Sequence, residues 1–219
     1  NLYVTDLETG EERPVTRDGR GLLSWGMAEF VAQEELDRST GYWWSPDERF
    51  IAIARVDETP VDNVPRMEID ADGSARVVDQ RYPRAGTDNA KVELFIVELA
   101  TGEFRQVELA ETDDIYLARV NWAQDSSRAY VQVLNRAQTR LDILAADPAS
   151  GDADIWLTET TDVWINLTND FRALDDGSVL WTSEDTPGGF RHIQHRAADG
   201  SLIAQVTSGE WVVSEIDAV

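Results

Sequence analysis

Two kinds of hairpin, repeated in the same order, limit this chain more than any other feature. The first kind closes on glycine. Val92 to Leu109, VELFIVELATGEFRQVEL, turns at Thr101-Gly102, and Phe190 to Thr207, FRHIQHRAADGSLIAQVT, turns at Asp199-Gly200. Arg140 to Glu159 turns at Ser150-Gly151, and Leu2 to Thr16 turns at Glu8-Thr9-Gly10. Glycine supplies the backbone angles that a tight hairpin demands. The second kind turns on Asp with Pro, Gln or a further Asp: YWW-SPD before FIAIA at 50–54, VNW-AQD before AYVQV at 129–133, and FRAL-DDG before VLW at 179–181. β-Branched and aromatic runs after each turn suit strands.

The two hairpins together make a four-stranded unit. Three units fit, at about 41–109, 114–160 and 166–208. Half a unit precedes them at 1–16, and the first strand of another is expected at 211–216. The first unit is long because of an insertion from Thr59 to Lys91. Such repetition predicts an all-β chain, a partial β-propeller of four-stranded antiparallel blades. A β-sandwich explains the strands but not their recurrence. Three and a half units do not close a propeller, which needs at least four blades. The chain therefore reads as a fragment of a larger one. An open arc exposes edge strands, and pairing with a second copy, a homodimer, is a possible consequence.

Composition narrows the partners. Hydrophobic residues make up 42% of the 219, enough for a packed core, and eight tryptophans fill space between sheets. The formal charge is -23, which disfavours nucleic acid and anionic membranes as partners. Cysteine is absent, so there is no disulfide framework and no cysteine nucleophile or metal ligand. No apolar run reaches the roughly 20 residues of a transmembrane helix. His192 and His195 sit on one expected strand, where a spacing of three points them to opposite faces. There is no G-x-S-x-G elbow, P-loop, zinc-hydrolase signature or dinucleotide glycine motif. No complete catalytic apparatus, metal site or cofactor is expected in this chain.

One segment breaks the strand rhythm. Residues 25–38, WGMAEFVAQEELDR, read as an inserted helix, with Ser24 as a cap and Met27 to Leu36 as good helix material. It ends in two adjacent carboxylates, Glu34 and Glu35. An insertion ahead of an innermost propeller strand lies near the central channel, within reach of a ligand. Neighbouring carboxylates repel unless a cation relieves them. Solvent-facing or locally salt-bridged side chains, recognition of an ammonium or metal cation, and catalysis all remain open. Adjacent residues suit a glycosidase pair poorly, because that chemistry places its carboxyls on either side of the scissile bond. Tyr42, Trp43 and Trp44 read as blade core. Arg81 to Gly86, RYPRAG, reads as an ordered loop at a blade edge, with a role in substrate access or subunit contact as the alternative. Asn166 and Arg172 flank an inner strand, where either reaches the channel or makes structural hydrogen bonds, the latter being expected.

The stretch WGMAEFVAQEELDRSTGYWWSPDERFIAIARVDET resembles the propeller region of the dipeptidyl peptidase IV family of serine peptidases. So do RYPRAGTDNAKVELFIVEL, WINLTNDFRALDDGSVLWTSED and GGFRHIQHRAADGSLIAQVTSGEWVV, so the resemblance covers nearly the whole chain. EDTPGGFRHIQHR departs from the family's usual serine-glutamate start and tyrosine-rich strand. The resemblance implies a fragment of an eight-bladed propeller that covers a C-terminal α/β-hydrolase domain bearing the catalytic residues. It implies that Glu34 and Glu35 bind the ammonium of a peptide substrate with a free N-terminus. It further implies release of Xaa-Pro, or Xaa-Ala, dipeptides. An assisting arginine of the family finds no match here. A bacterial parent of this type is expected in the periplasm or cell envelope. A noncatalytic propeller serving as a protein-interaction domain, or an unrelated sugar- or metal-binding propeller, are the alternatives.

Overall fold

The structure, a computed structural model, describes residues 1–110 and 114–219. In chain order its elements are β1 (Tyr3–Thr5), β2 (Glu12–Pro14), β3 (Leu23–Trp25), α1 (Phe30–Glu34), β4 (Tyr42–Trp44) and β5 (Phe50–Asp57). Then come β6 (Asn63–Ile69), β7 (Ala75–Arg81), β8 (Lys91–Glu98), β9 (Glu103–Val107), β10 (Ile115–Trp122) and β11 (Ala129–Asn135). The last are β12 (Arg140–Ala146), β13 (Ala153–Thr160), β14 (Arg172–Ala173), β15 (Val179–Ser183), β16 (His192–Arg196) and β17 (Leu202–Gln205).

The expected antiparallel sheets form. Two four-stranded sheets run β10-β11-β12-β13 and β14-β15-β16-β17, each a pair of consecutive hairpins. The first blade has five strands, ordered β3-β5-β8-β9 with β4 also paired to β5. The extra strand is β3, which the sequence hides: three residues, LSW, run straight into the segment that reads as helix. It pairs with the end of β5, Leu23 opposite Asp57 and Trp25 opposite Arg55. Hairpins β1-β2 and β6-β7 stand as two-stranded sheets, the latter occupying the insertion. The glycines of the first hairpin type all sit at positive φ: Gly10 at 74°, Gly102 at 74°, Gly151 at 85° and Gly200 at 85°.

Two compact units divide the residues: Asn1–Gly41 with Ala54–Glu93, and Tyr42–Ile53 with Leu94–Val219. In the second unit, Tyr130, Trp156, Phe171 and Trp181 form a chain of ring contacts, with centroids 4.8–6.3 Å apart. Such edge-on and tilted arrangements suit aromatic quadrupoles. Trp156 Nε1 also donates to Ala198 O at 3.0 Å, tying β13 to the turn before β17.

Three expectations change. Tyr42 and Trp44 are exposed and Trp43 is half-buried, because β4 is a three-residue edge strand and the fully buried run lies on β5. Residues 211–216 carry no strand; a strand exists only through a paired neighbour, and this segment is instead held by Val213 N donating to Arg191 O and Ile216 N to Asp170 Oδ1. The helix of residues 25–38 shrinks to the single turn of α1.

Candidate functional site

The first unit contains the segment with the two carboxylates, and its local architecture follows from a pinched neck. Gly26 N donates to Ala54 O at 2.9 Å, Gly41 N donates to Gly26 O at 3.0 Å, and Ala54 N donates to Gly41 O at 2.7 Å. Met27 pairs with Thr40 in an antiparallel bridge, and Ala28 N donates to Ser39 O at 3.4 Å. Residues 26–28 and 39–41 therefore run as a short ladder that branches from the middle of β5, at Ala54. Between its two sides the chain makes α1 and returns. Asp37 takes a left-handed φ of 52°, which turns the chain so that Arg38 N reaches Ala32 O at 3.0 Å. Asp tolerates that region better than most residues.

Gly41 is required by close approach rather than by its φ. A Cβ there would stand 2.5 Å from Met27 O and 2.9 Å from Met27 N. The obstacle is backbone, so no side chain can swing aside.

The loop sorts its side chains by face. Ala28, Ala32 and Leu36 are buried. Phe30 meets the Tyr82 ring edge-on, with centroids 4.9 Å apart. Glu34 is the last residue of α1 and Glu35 its C-cap. Both are exposed, and neither side chain has a hydrogen bond or ion pair among the described residues. The only contact of note is through the backbone, Glu35 N to Val31 O at 2.8 Å.

Two other charged residues of the loop behave in the opposite way. Glu29 and Arg38 are 4% and 5% exposed at their side chains, and Arg38 Nη2 donates to Glu29 Oε2 at 2.9 Å. Arg38 Nη1 donates to Thr40 O at 2.7 Å. Burial pushes the Glu29 carboxyl above its usual range, against the pull of Arg38. Burial likewise lowers the Arg38 guanidinium, against the support of Glu29. Burial has the larger influence on each, as expected for charges removed from water. Sequence reasoning missed both residues. Their one visible signal is that Arg38 is the only basic residue between Arg20 and Arg49, in a stretch otherwise acidic.

The surroundings are tied down by further contacts. Trp25 Nε1 donates to Asp18 Oδ1 at 2.7 Å, and the Arg55 guanidinium lies over the Trp25 ring and pairs with Glu93. Arg81 Nη1 donates to Val61 O at 2.6 Å, and Arg84 Nη2 to Asp62 Oδ2 at 2.7 Å, so the RYPRAG loop is ordered by its own arginines. Burial pushes the Glu58 carboxyl up, with Arg81 opposing.

Elsewhere, Asn166 Nδ2 donates to both carboxylate oxygens of Glu184 at 3.1 and 2.9 Å, and Arg172 Nη2 donates to Ile216 O at 2.7 Å. These are structural bonds. His192 is buried between Thr207 Oγ1 and Gly209 O, while His195 meets Ser178 Oγ, so the two rings do not converge. Among the described residues no group of three or more His, Asp or Glu is placed to hold a metal ion. No described helix is long and apolar enough to cross a membrane.

Antiparallel four- and five-stranded sheets in series, with an acidic loop grown from the first, define a propeller-type domain. Its whole length, residues 1–219, matches the model of the dipeptidyl peptidase IV N-terminal region, and the chain belongs to that family. It is 28% identical over 293 residues to mouse (Mus musculus) dipeptidyl peptidase 8, covering 97% of this chain and 32% of that protein. It is 25% identical over 228 residues to inactive dipeptidyl peptidase 10 of Rattus norvegicus, covering 98% of this chain and 28% of that one. The crystal structure of Porphyromonas gingivalis dipeptidyl peptidase 4 superposes with a TM-score of 0.88 at 25% identity, over 97% of this chain and 30% of that one. The chain thus spans about a third of the curated relatives it matches. Membership of this family replaces the reading of an unrelated sugar- or metal-binding propeller.

Proposed function

We propose that this chain is the substrate-recognition propeller region of a serine dipeptidyl peptidase that releases N-terminal Xaa-Pro or Xaa-Ala dipeptides. Glu34 and Glu35 receive the protonated amino terminus of the peptide. One observation carries the reading: two adjacent exposed carboxylates, unpaired among the described residues, at the tip of a loop whose other acid-base pair is already neutralised. Their charge is available to a ligand. A primary ammonium brings up to three donors, enough to engage both carboxylates with charge-assisted hydrogen bonds and relieve their repulsion. A cation fixed there sets how many residues lie between the amino terminus and the bond to be cut. The cutting residues belong to an α/β-hydrolase domain of the parent protein. Dimerisation through the insertion, where Met67, Ile69 and Val77 are exposed on β6-β7, is part of this reading. So is a periplasmic or cell-envelope location.

The test compares two peptides in the full-length protein, identical except that one is N-acetylated. The free peptide is cleaved after its second residue. The acetylated one loses about 100-fold or more in kcat/KM, since it forfeits two charge-assisted hydrogen bonds of about 1.5–3 kcal/mol each and 1.4 kcal/mol is tenfold. Equal cleavage of both would refute amino-terminus recognition.

A second reading has a specific observation behind it. The likeness to an inactive dipeptidyl peptidase fits a noncatalytic parent in which the same propeller binds a protein partner. A parent with an intact nucleophile elbow excludes it; a parent without one is noncatalytic, and binding of a protein partner is then tested directly.

A further inference from the structure

We infer that Glu29 and Arg38 are positioning residues for Glu34 and Glu35: their buried ion pair closes the loop and sets where the two exposed carboxylates stand. The inference rests on the amino-terminus reading above and adds to it the residues that make the site specific.

α1 cannot fix its own orientation. A helix of five residues has too few hydrogen bonds to offset its nucleation cost. Its N-cap, Glu29, makes no side-chain capping bond, and it has no acidic residue in the first turn or basic residue in the last. The orientation of the turn is therefore imposed from outside. The backbone ladder reaches only as far as Ala28 and Ser39. The next rung out is the side-chain pair of Glu29, the N-cap of α1, and Arg38, which lies on the returning chain beyond the C-cap Glu35.

The chemistry of that rung favours geometry over stability. Burying two charges costs most of what their attraction returns, and an apolar pair of equal volume is often as stable. What the guanidinium adds is a rigid fork with fixed donor directions. Here one prong holds the Glu29 carboxylate and the other holds Thr40 O. The start of α1 is thereby keyed to the returning strand. On the same side, Gln33 N donates to Glu29 O at 3.1 Å, and Gln33 Nε2 donates to Ala28 O at 2.6 Å. The residue just before Glu34 is thus bonded to the start of the loop, and Glu34 inherits the setting. The pair also neutralises itself, so Arg38 does not compete with an incoming ammonium for the exposed acids.

Arg38→Lys and Glu29→Gln test this in the full-length protein, with kcat and KM measured on a Gly-Pro anilide. Lys keeps the charge and loses the fork; Gln keeps the shape and loses the charge. Both variants are expected to raise KM about 10- to 100-fold with kcat changed less than about threefold, since a misplacement near 1 Å can cost about 100-fold. Thermal unfolding separates this from loss of fold. The double variant Glu29→Leu/Arg38→Met, which an apolar pair should keep folded, is expected to raise KM while its melting temperature holds. The same substitutions are then placed in a Glu34→Gln/Glu35→Gln background, where they should add less than about twofold. Normal KM in folded Arg38→Lys and Glu29→Leu/Arg38→Met proteins, or full additivity in the Gln background, overturns the positioning role and leaves the amino-terminus reading intact. A Glu34→Gln/Glu35→Gln protein with wild-type kinetics overturns both.

Discussion

Glu34→Ala and Glu35→Ala in the full-length protein each lower kcat/KM on an unblocked Xaa-Pro substrate by about 10- to 150-fold. The range follows from one charge-assisted hydrogen bond at about 1.5–3 kcal/mol, with 1.4 kcal/mol per factor of ten. The double variant loses less than the product of the two singles. With both acids present, the empty site stores repulsion that the ammonium relieves; removing one acid abolishes that repulsion as well as a contact. Interacting sites are non-additive for this reason. Thermal stability is expected to stay within about 0.5 kcal/mol, because both side chains are exposed and unpaired among the described residues. Steady-state kinetics with a melting curve checks both parts. Near-normal kcat/KM in both single variants would remove these residues from the recognition site.

Gly41→Ala is expected to be the most damaging single change in the loop. The added methyl meets Met27 O at 2.5 Å, and Met27 C and N at 2.9 Å. Relief requires the backbone of the neck to part. The neck is also joined to β5 by Gly41 O accepting from Ala54 N and by Gly26 N donating to Ala54 O, so parting it strains two strands at once. Overpacking of this kind costs about 1–3 kcal/mol. Because the ladder carries the Glu29–Arg38 rung, the same change is expected to raise KM more than Arg38→Lys does. Denaturation and kinetics together decide this: an unchanged midpoint would show that the neck is softer than its hydrogen bonds imply.

The sheets were legible because their signals are local. A hairpin needs glycine at one position, and Gly10, Gly102, Gly151 and Gly200 all take the positive φ that their turns require. The ends of elements were less legible, because tertiary pairing decides them. Trp25 reads as the start of a helix, yet the end of β5 offers Arg55 as a partner and draws it into β3. Trp44 reads as core from its composition, but it lies on a three-residue edge strand and stays exposed. Helix propensity extends from Met27 to Leu36, while the neck consumes both ends of that run and leaves one turn.

The carboxylates could be picked out as an interruption in a strand pattern, but their setting could not. Glu29 and Glu34 look alike in sequence, both acids in a helix-like stretch. One is buried against Arg38 and the other faces solvent. That difference depends on how residues 26–28 meet 39–41, a closure with no periodic signature. The pairing of Glu29 with Arg38, nine residues apart, appears only once the loop is closed.

In the proposed function, a peptide's amino terminus is held at the tip of this loop. A crystal structure of the full-length protein with a slowly cleaved or product-like Xaa-Pro peptide tests it most directly. The ammonium nitrogen is expected within about 3.2 Å of a carboxylate oxygen of Glu34 and of Glu35, the outer limit of a good N–H···O bond. An ammonium bound at any other acidic group, with Glu34 and Glu35 still facing solvent, would contradict it.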